Sequence, residues 1–174
     1  MARSEIRLSG SGGQGLITAG IILAMAASVY EGKKAIQSQS YGPEARGGAS
    51  KAEVIISDEE IFYPKVMNPD VVVALTQEAA KKYSTDLKPG GLLIVDNLMV
   101  TNPPQGDFKV IGLDIIVTAA EKVGKAMVAN VVALGALNAI CSFVSAETLE
   151  RAVLSRVPKG TEELNRRSEE RRVG

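Results

Sequence analysis

Gly10-Ser11-Gly12-Gly13-Gln14-Gly15 follows a short strand-like run, Ile6-Arg7-Leu8-Ser9, and precedes a long helical pattern. The order is strand, glycine turn, helix. Glycines let the backbone turn sharply and bring amide N–H groups close to a ligand oxygen. The helix that follows aims the positive end of its dipole at the same spot. The turn therefore reads as an anion cradle, of the kind that holds a phosphate. As a bare G-x-G-x-x-G spacing the signal is weak, and its place between a strand and a helix is what sharpens it. The competing reading is a tight strand-to-helix connection with no ligand.

Outward from this turn, strand-like and helical runs alternate. Glu5–Ser9 reads as the first strand, and Gln14–Tyr30 as the first helix, ended by Gly32. Lys34–Gln37 reads as a short second strand, residues 38–48 as irregular, and Ser50–Ile56 as a strand with alternating pattern. Asp70–Leu75 carries a continuous apolar run, Val71-Val72-Val73, that suits a parallel sheet. Gln77–Tyr83 is helical. Leu92–Val95 and Phe108–Leu113 are strands, and Ile115–Val123 is helical behind a candidate Asp114 cap. An apolar helix spans Asn130–Phe143, Ser145 is placed to cap Ala146–Leu154, and a polar helix starts near Thr161. The alternation predicts an α/β fold, a Rossmann-like three-layer α/β/α sandwich with a mostly parallel sheet, as one domain over residues 1–174. Ligands of such sheets bind beyond the carboxyl ends of the strands, where the glycine turn lies.

Composition removes several function classes. The 174 residues carry 20 Lys plus Arg against 20 Asp plus Glu, which gives no basic surface for nucleic acid. The chain has no histidine, the usual general base near neutral pH and the commonest metal ligand. Cys141 is the single cysteine, so the chain forms no internal disulfide and holds no iron–sulfur cluster by itself. A reducing cytoplasm fits this usage. Two uncharged runs need a decision. Leu16–Val29 superficially resembles a secretory signal, but the glycine cluster before it makes a better βα turn. Residues 126–146 are long enough to span a bilayer, yet an all-round apolar helix also suits a core or a subunit interface. The expectation is burial, with no membrane partner.

A second constellation follows strand two: Gln37-Ser38-Gln39-Ser40-Tyr41-Gly42-Pro43-Glu44-Ala45-Arg46-Gly47-Gly48-Ala49-Ser50. It packs hydroxyls, amides, an ion-pair candidate and three glycines into one loop. In a Rossmann-like sheet this loop lies beside the glycine turn. Arg46 offers a planar cationic fork suited to phosphate or carboxylate, with Glu44 to orient it or to meet the ligand. A solvated turn with a surface ion pair is the alternative. An acidic residue at the end of strand two would hold an adenine ribose, and Gln37 and Ser38 stand there instead, which counts against a nicotinamide dinucleotide.

The Gly10–Gly15 turn, the Ser40–Gly48 loop, Ser57-Asp58-Glu59-Glu60-Ile61, Asn130-Val131-Val132-Ala133-Leu134-Gly135 and Pro158-Lys159-Gly160-Thr161-Glu162-Glu163-Leu164-Asn165 together resemble the gamma subunit of 2-oxoacid:ferredoxin oxidoreductases, most of all the 2-oxoglutarate type. The likeness covers nearly the whole chain in order, and residues 168–174 depart from it. It implies a complex that makes an acyl-CoA and CO2 from a 2-oxoacid and CoA, with electrons passed to ferredoxin. Thiamine diphosphate, Mg2+ and iron–sulfur clusters would sit in alpha and beta partner subunits, with a delta subunit as a further member. The Gly-Asp-Gly thiamine motif is absent here, because Gly106-Asp107 runs into Phe108. The resemblance therefore implies no catalytic residue in this chain alone and no metal ligand. It implies ligand contacts, with CoA as the ligand, from Gly10, Ser11, Gly12, Gly13, Gln14, Gly15, Ser40, Tyr41, Gly42, Glu44, Arg46, Gly47 and Asn130. Asn130 is suited to bond a loop or the ligand, or to cap the start of its own helix. The reading from a different class is a stand-alone Rossmann-like nucleotide-binding protein, either a nicotinamide or flavin enzyme or a sensing module.

Overall fold

The computed structural model describes residues 3–11, 14–41, 49–123 and 129–156. Six strands form one sheet: β1 (Arg3–Ser11), β2 (Lys34–Tyr41), β3 (Ala49–Ser57), β4 (Val71–Ala74), β5 (Gly91–Asp96) and β6 (Phe108–Leu113), in the spatial order β2-β3-β1-β4-β5-β6. β1, β4, β5 and β6 run parallel to one another. β3 runs antiparallel to both β1 and β2. Three of the five pairings are thus parallel, and the parallel character belongs to one half of the sheet.

The antiparallel half corrects the expected placement of strand two. β2 forms a hairpin-like pair with β3 and lies at the sheet edge, with β3 between it and β1. It also runs past Gln37: Ser38 pairs with Glu53 and Tyr41 with Ser50, so residues 38–41 are strand, not irregular. Ser38 and Gln39 are polar and exposed, and an edge strand of that kind carries little hydrophobic pattern. The dinucleotide comparison loses its footing too, since the end of β2 does not adjoin β1.

Both faces of the parallel half are covered, which explains its continuous apolar runs. Val71 and Val73 of β4 pack with Ile6, Leu8 and Ile94 under α1 (Leu16–Met25), α4 (Ala129–Cys141) and α5 (Ala146–Arg156). Val72 and Ala74 face the other way, with Leu93 and Val95, against Ala79, Ala80 and Tyr83 of α2 (Gln77–Tyr83). The result is the expected three-layer order of helix, sheet and helix. α1 starts at Leu16 and widens into a π-helical turn over Ala26–Tyr30 before Gly32. Its apolar run is a core face: Leu16, Ala19, Ile22, Leu23, Ala26 and Ala27 are all buried. Each large side chain so buried contributes about 1.5–3 kcal/mol.

α3 (Ile115–Val117) continues as a π-helical stretch over Thr118–Val123. Asp114 does not cap it, contrary to expectation. Asp96, at the end of β5, does that work, its Oδ1 accepting from the Ile116 N–H at 2.9 Å. Ser145 caps α5 as expected, its Oγ accepting from the Thr148 N–H at 3.1 Å. In α4, residues 131–138 are buried and Ile140 is exposed. No described helix is long and apolar enough to cross a membrane. The expected polar helix near Thr161 lies outside the described residues.

α4 ends with Ser142 at φ 54°, its N–H bonded to Asn138 O at 2.7 Å. That left-handed position normally takes glycine. Ser142→Gly is expected to raise stability by a few tenths up to about 1 kcal/mol, relief of the Cβ strain outweighing glycine's entropy in the unfolded chain. Thermal melting of the two proteins measures it, and a lowered midpoint would contradict the assignment.

Candidate functional site

β1 is where the chain reverses its direction of travel across the sheet. From β1 the chain passes through α1 to β2 and β3 on one side; from β4 onward it builds the other side. A crevice outside the carboxyl ends of the strands at such a switch point is the usual ligand position in an open α/β sheet. The glycine turn occupies it. Ser9 pairs with Ala74, and the Leu75 N–H donates to Ser9 O at 3.0 Å, so the ends of β1 and β4 stand side by side.

The turn is held by its own residues. The Gln14 side chain folds back over Gly10, where a Cβ would run into Gln14 Oε1 and come 2.7 Å from Leu16 Cδ1. Gln14 Oε1 accepts from the Ser11 N–H at 2.8 Å, and the Gln14 N–H donates to Ser11 O at 3.3 Å. Gly15 sits at φ 75° as the N-cap of α1. Its carbonyl accepts from the Ala19 N–H at 3.0 Å and from Asn130 Nδ2 at 3.1 Å. A Cβ at Gly15 would lie 2.7 Å from that same Nδ2. The positive φ calls for glycine at 15, and a side chain at 10 would have to displace the ends of Gln14 and Leu16. The Ser11 amide is engaged by Gln14, so an anion reaches it only by displacing that side chain. The start of α1 is the better place for negative charge: no side chain caps it and its first turn has no acidic residue. Gly12 and Gly13 lie outside the described residues.

Asn130 joins this site from 115 residues away. Its Oδ1 also accepts from the Val131 N–H at 2.9 Å. It thus serves as a local cap and as a tie between the starts of α4 and α1. The second constellation arrives through the hairpin. Ser11 pairs with Ala49, Ser50 with Tyr41, and Lys51 with Ser40. The β3 end of the β2–β3 connection, at Ala49, therefore lies beside the end of β1, and its β2 end, at Tyr41, lies one strand further out. Gly42, Glu44, Arg46 and Gly47 lie outside the described residues.

Two groups near the site were not singled out by the sequence reading. Asp96 is fully buried at the carboxyl end of β5. Besides Ile116, it accepts from the Leu98 and Met99 N–H groups at 3.0 and 2.9 Å. It sets the turn that displays Leu98 and Met99, which are 57% and 44% exposed, at the carboxyl edge of the sheet. An aspartate closing an apolar strand run was the available signal. Arg7, in the middle of β1, is buried. Its Nη1 and Nη2 meet Asp86 Oδ1 and Oδ2 at 2.5 and 3.0 Å, its Nε meets Glu53 Oε2 at 2.7 Å, and Nη1 also donates to Tyr83 O at 2.9 Å. Burial by itself lowers the guanidinium's pKa; the bonds and charges of Asp86 and Glu53 outweigh it and hold the group above its ordinary value. Burial likewise raises the Asp86 carboxyl, and Arg7 outweighs that and holds it below its ordinary value. A cavity of about 480 Å³ lined by Glu31, Lys33, Asn138 and Ser142 lies at the other end of α4 from Asn130, away from this site.

The pyruvate ferredoxin/flavodoxin oxidoreductase family matches residues 5–170. The 2-oxoglutarate synthase subunit KorC of Methanocaldococcus jannaschii is 52% identical over 165 residues, covering 94% of this chain and 88% of that one. The crystal structure of a keto/oxoacid ferredoxin oxidoreductase gamma subunit from Geobacter sulfurreducens superposes with a TM-score of 0.92 at 54% identity, covering 99% of this chain and 95% of that one. The ketoisovalerate oxidoreductase subunit VorA of Methanothermobacter thermautotrophicus is 36% identical over 136 residues, which are 78% of this chain and 28% of that longer one.

Proposed function

This chain belongs to the pyruvate ferredoxin/flavodoxin oxidoreductase family, and from that membership we propose that it is the gamma subunit of a 2-oxoacid:ferredoxin oxidoreductase complex acting on 2-oxoglutarate. The complex converts the 2-oxoacid and CoA to acyl-CoA and CO2 and passes the electrons to ferredoxin, in the cytoplasm. The observation that carries this reading is 52% identity to a 2-oxoglutarate synthase subunit along nearly the whole of both chains. The stand-alone nucleotide-binding reading has no comparable support.

Thiamine diphosphate, held with Mg2+ by a partner subunit, supplies the electron sink for the carbon chemistry, and clusters in partner subunits carry the electrons. The part left to this chain is binding and closure, with residues 1–174 acting as one domain. The uncapped start of α1 fits a phosphate of CoA, because its dipole and amides favour negative charge. Asn130 fixes the angle between α1 and α4, so the amides are already aimed when the ligand arrives. The Ser11 amide fits an anionic oxygen only after Gln14 gives way. Arg46, on the connection whose β3 end pairs with Ser11, adds a cationic fork to the same ligand and helps exclude water from the partner's thiamine site.

Arg46→Ala in the reconstituted complex tests this assignment. A charge-assisted contact contributes on the order of 1.5–3 kcal/mol, so the apparent CoA affinity or the turnover is expected to fall about tenfold or more. Arg46→Lys keeps the charge but loses the bidentate fork, and is expected to be impaired less. Steady-state kinetics at varied CoA measures both. Unchanged CoA dependence, turnover and assembly in Arg46→Ala would reduce the loop to a solvated turn.

A further inference from the structure

We propose that the irregular segment between β3 and β4 docks a partner subunit of the complex, through an apolar cleft on that partner rimmed by lysine or arginine. This rests on the reading of the chain as one subunit of a complex. Phe62 is 91% exposed, Tyr63 50% and Met67 55%. Single exposed apolar residues are ordinary, but three within six positions form a patch. The Tyr63 hydroxyl donates to Met67 Sδ at 3.5 Å, which joins the two into one ledge.

β1 pins this segment. Arg3 Nη2 donates to Lys65 O at 3.0 Å, and Glu5 Oε1 accepts from the Met67 and Asn68 N–H groups at 2.9 and 3.3 Å. Arg3 Nε and Glu5 Oε2 close the frame at 3.0 Å. A segment already ordered loses little entropy on docking, and exposed aromatic anchors are the residues that carry interface energy.

Charge selects the occupant. Asp58, Glu59 and Glu60 run directly into the patch and all three are exposed. Lys34 reaches Glu60 at 3.2 Å and the exposed Lys65 lies within the patch, so three acidic residues stand against two lysines. Complementarity asks for a cationic rim on the other side. A second copy meeting this patch across a two-fold axis would bring the same acidic run to both sides, so self-association is disfavoured. Ser57 pairs with Arg3 and with Lys34, which puts the patch at the amino end of β1, opposite the glycine turn. Docking here leaves the carboxyl edge open to the ligand.

The test co-expresses the tagged full chain with its partner subunits and titrates assembly, using Phe62→Ala and Glu59→Lys. Both side chains are exposed, so each isolated variant is expected to melt like the wild type. Phe62→Ala is expected to weaken assembly about tenfold or more. Glu59→Lys is expected to weaken it and to flatten its salt dependence. If Phe62→Ala proves unstable, Glu59→Lys decides. Wild-type assembly by both folded variants overturns the surface alone. Sedimentation showing a wild-type self-dimer that Phe62→Ala dissociates overturns it in favour of a second copy. Wild-type chain that captures no thiamine- and cluster-bearing subunits removes the subunit reading, and this proposal with it.

Discussion

Arg7→Ala is expected to destabilise the isolated chain by about 3 kcal/mol, the low end of the range for breaking a buried ion pair. The low end applies because the Asp86 side chain is 39% exposed and can rehydrate once its partner is gone. Glu53 is only 13% exposed and keeps Lys51 at 3.4 Å, a longer and weaker partner. The Tyr83 carbonyl loses a donor as well. Denaturant unfolding measures the loss, and a change below about 1 kcal/mol would contradict the account. The effect has a pH signature. Asp86 has its folded pKa held below the ordinary 3.8, so its contribution is fully present above the unfolded value and is lost as pH falls through the lower, folded one. The gap between wild type and Arg7→Ala is therefore expected to narrow on acidification below about pH 4. A triple replacement with Arg7→Met, Glu53→Gln and Asp86→Asn is expected to recover most of the lost stability, since no charge is then left buried without a partner.

Leu137→Ala is expected to cost about 2–5 kcal/mol, with Ile140→Ala on the same helix within about 0.5 kcal/mol of the wild type. Leu137 is fully buried in the cluster that joins α4 to α1, α5 and the sheet, whereas Ile140 is 42% exposed. Removing the Leu137 methyls leaves a cavity in a close-packed cluster that relaxes only in part. Urea midpoints of the isolated chain separate the two variants. Equal stability would mean that α4 gains its burial only in the assembled complex.

The residues that signalled the fold were those whose role is local. Val71-Val72-Val73 reads as a two-faced parallel strand from three letters, and it proved to be one. α2 and β6 begin and end where their patterns do. The failures share a cause. Residues 38–41 are held in β2 by the backbone groups of β3, which their own polar side chains do not announce. Asp114 looked like a cap by position, but the carboxylate that reaches the α3 amides comes from Asp96, on a neighbouring strand. The burial of Arg7 could not be read from its own strand, because its acceptors stand 46 and 79 residues away. The same holds at the site. The glycine turn was legible as strand, turn and helix, whereas Gln14 filling the Ser11 amide and Asn130 reaching Gly15 are facts of the assembled fold.

The position of β1 has a consequence for how the molecule is made. β1 precedes all its partners, yet it is flanked on both sides in the finished sheet. A chain growing from its amino end leaves one edge of β1 bare until residues 49–57 exist and the other until residues 71–74 exist. Closing such loops costs entropy before any pairing rewards it, so β1 is an early waiting strand and not a nucleus. The pairing of β2 with the adjacent β3 needs no such wait. The glycine turn is finished later still, because Gly15 does not meet Asn130 until 115 further residues have been added. A chain cut before α4 can complete the sheet up to β6 and still lack the tie that aims α1. The glycine-turn end of this chain is thus among the last of its features to mature, although its motif is among the first to be synthesised.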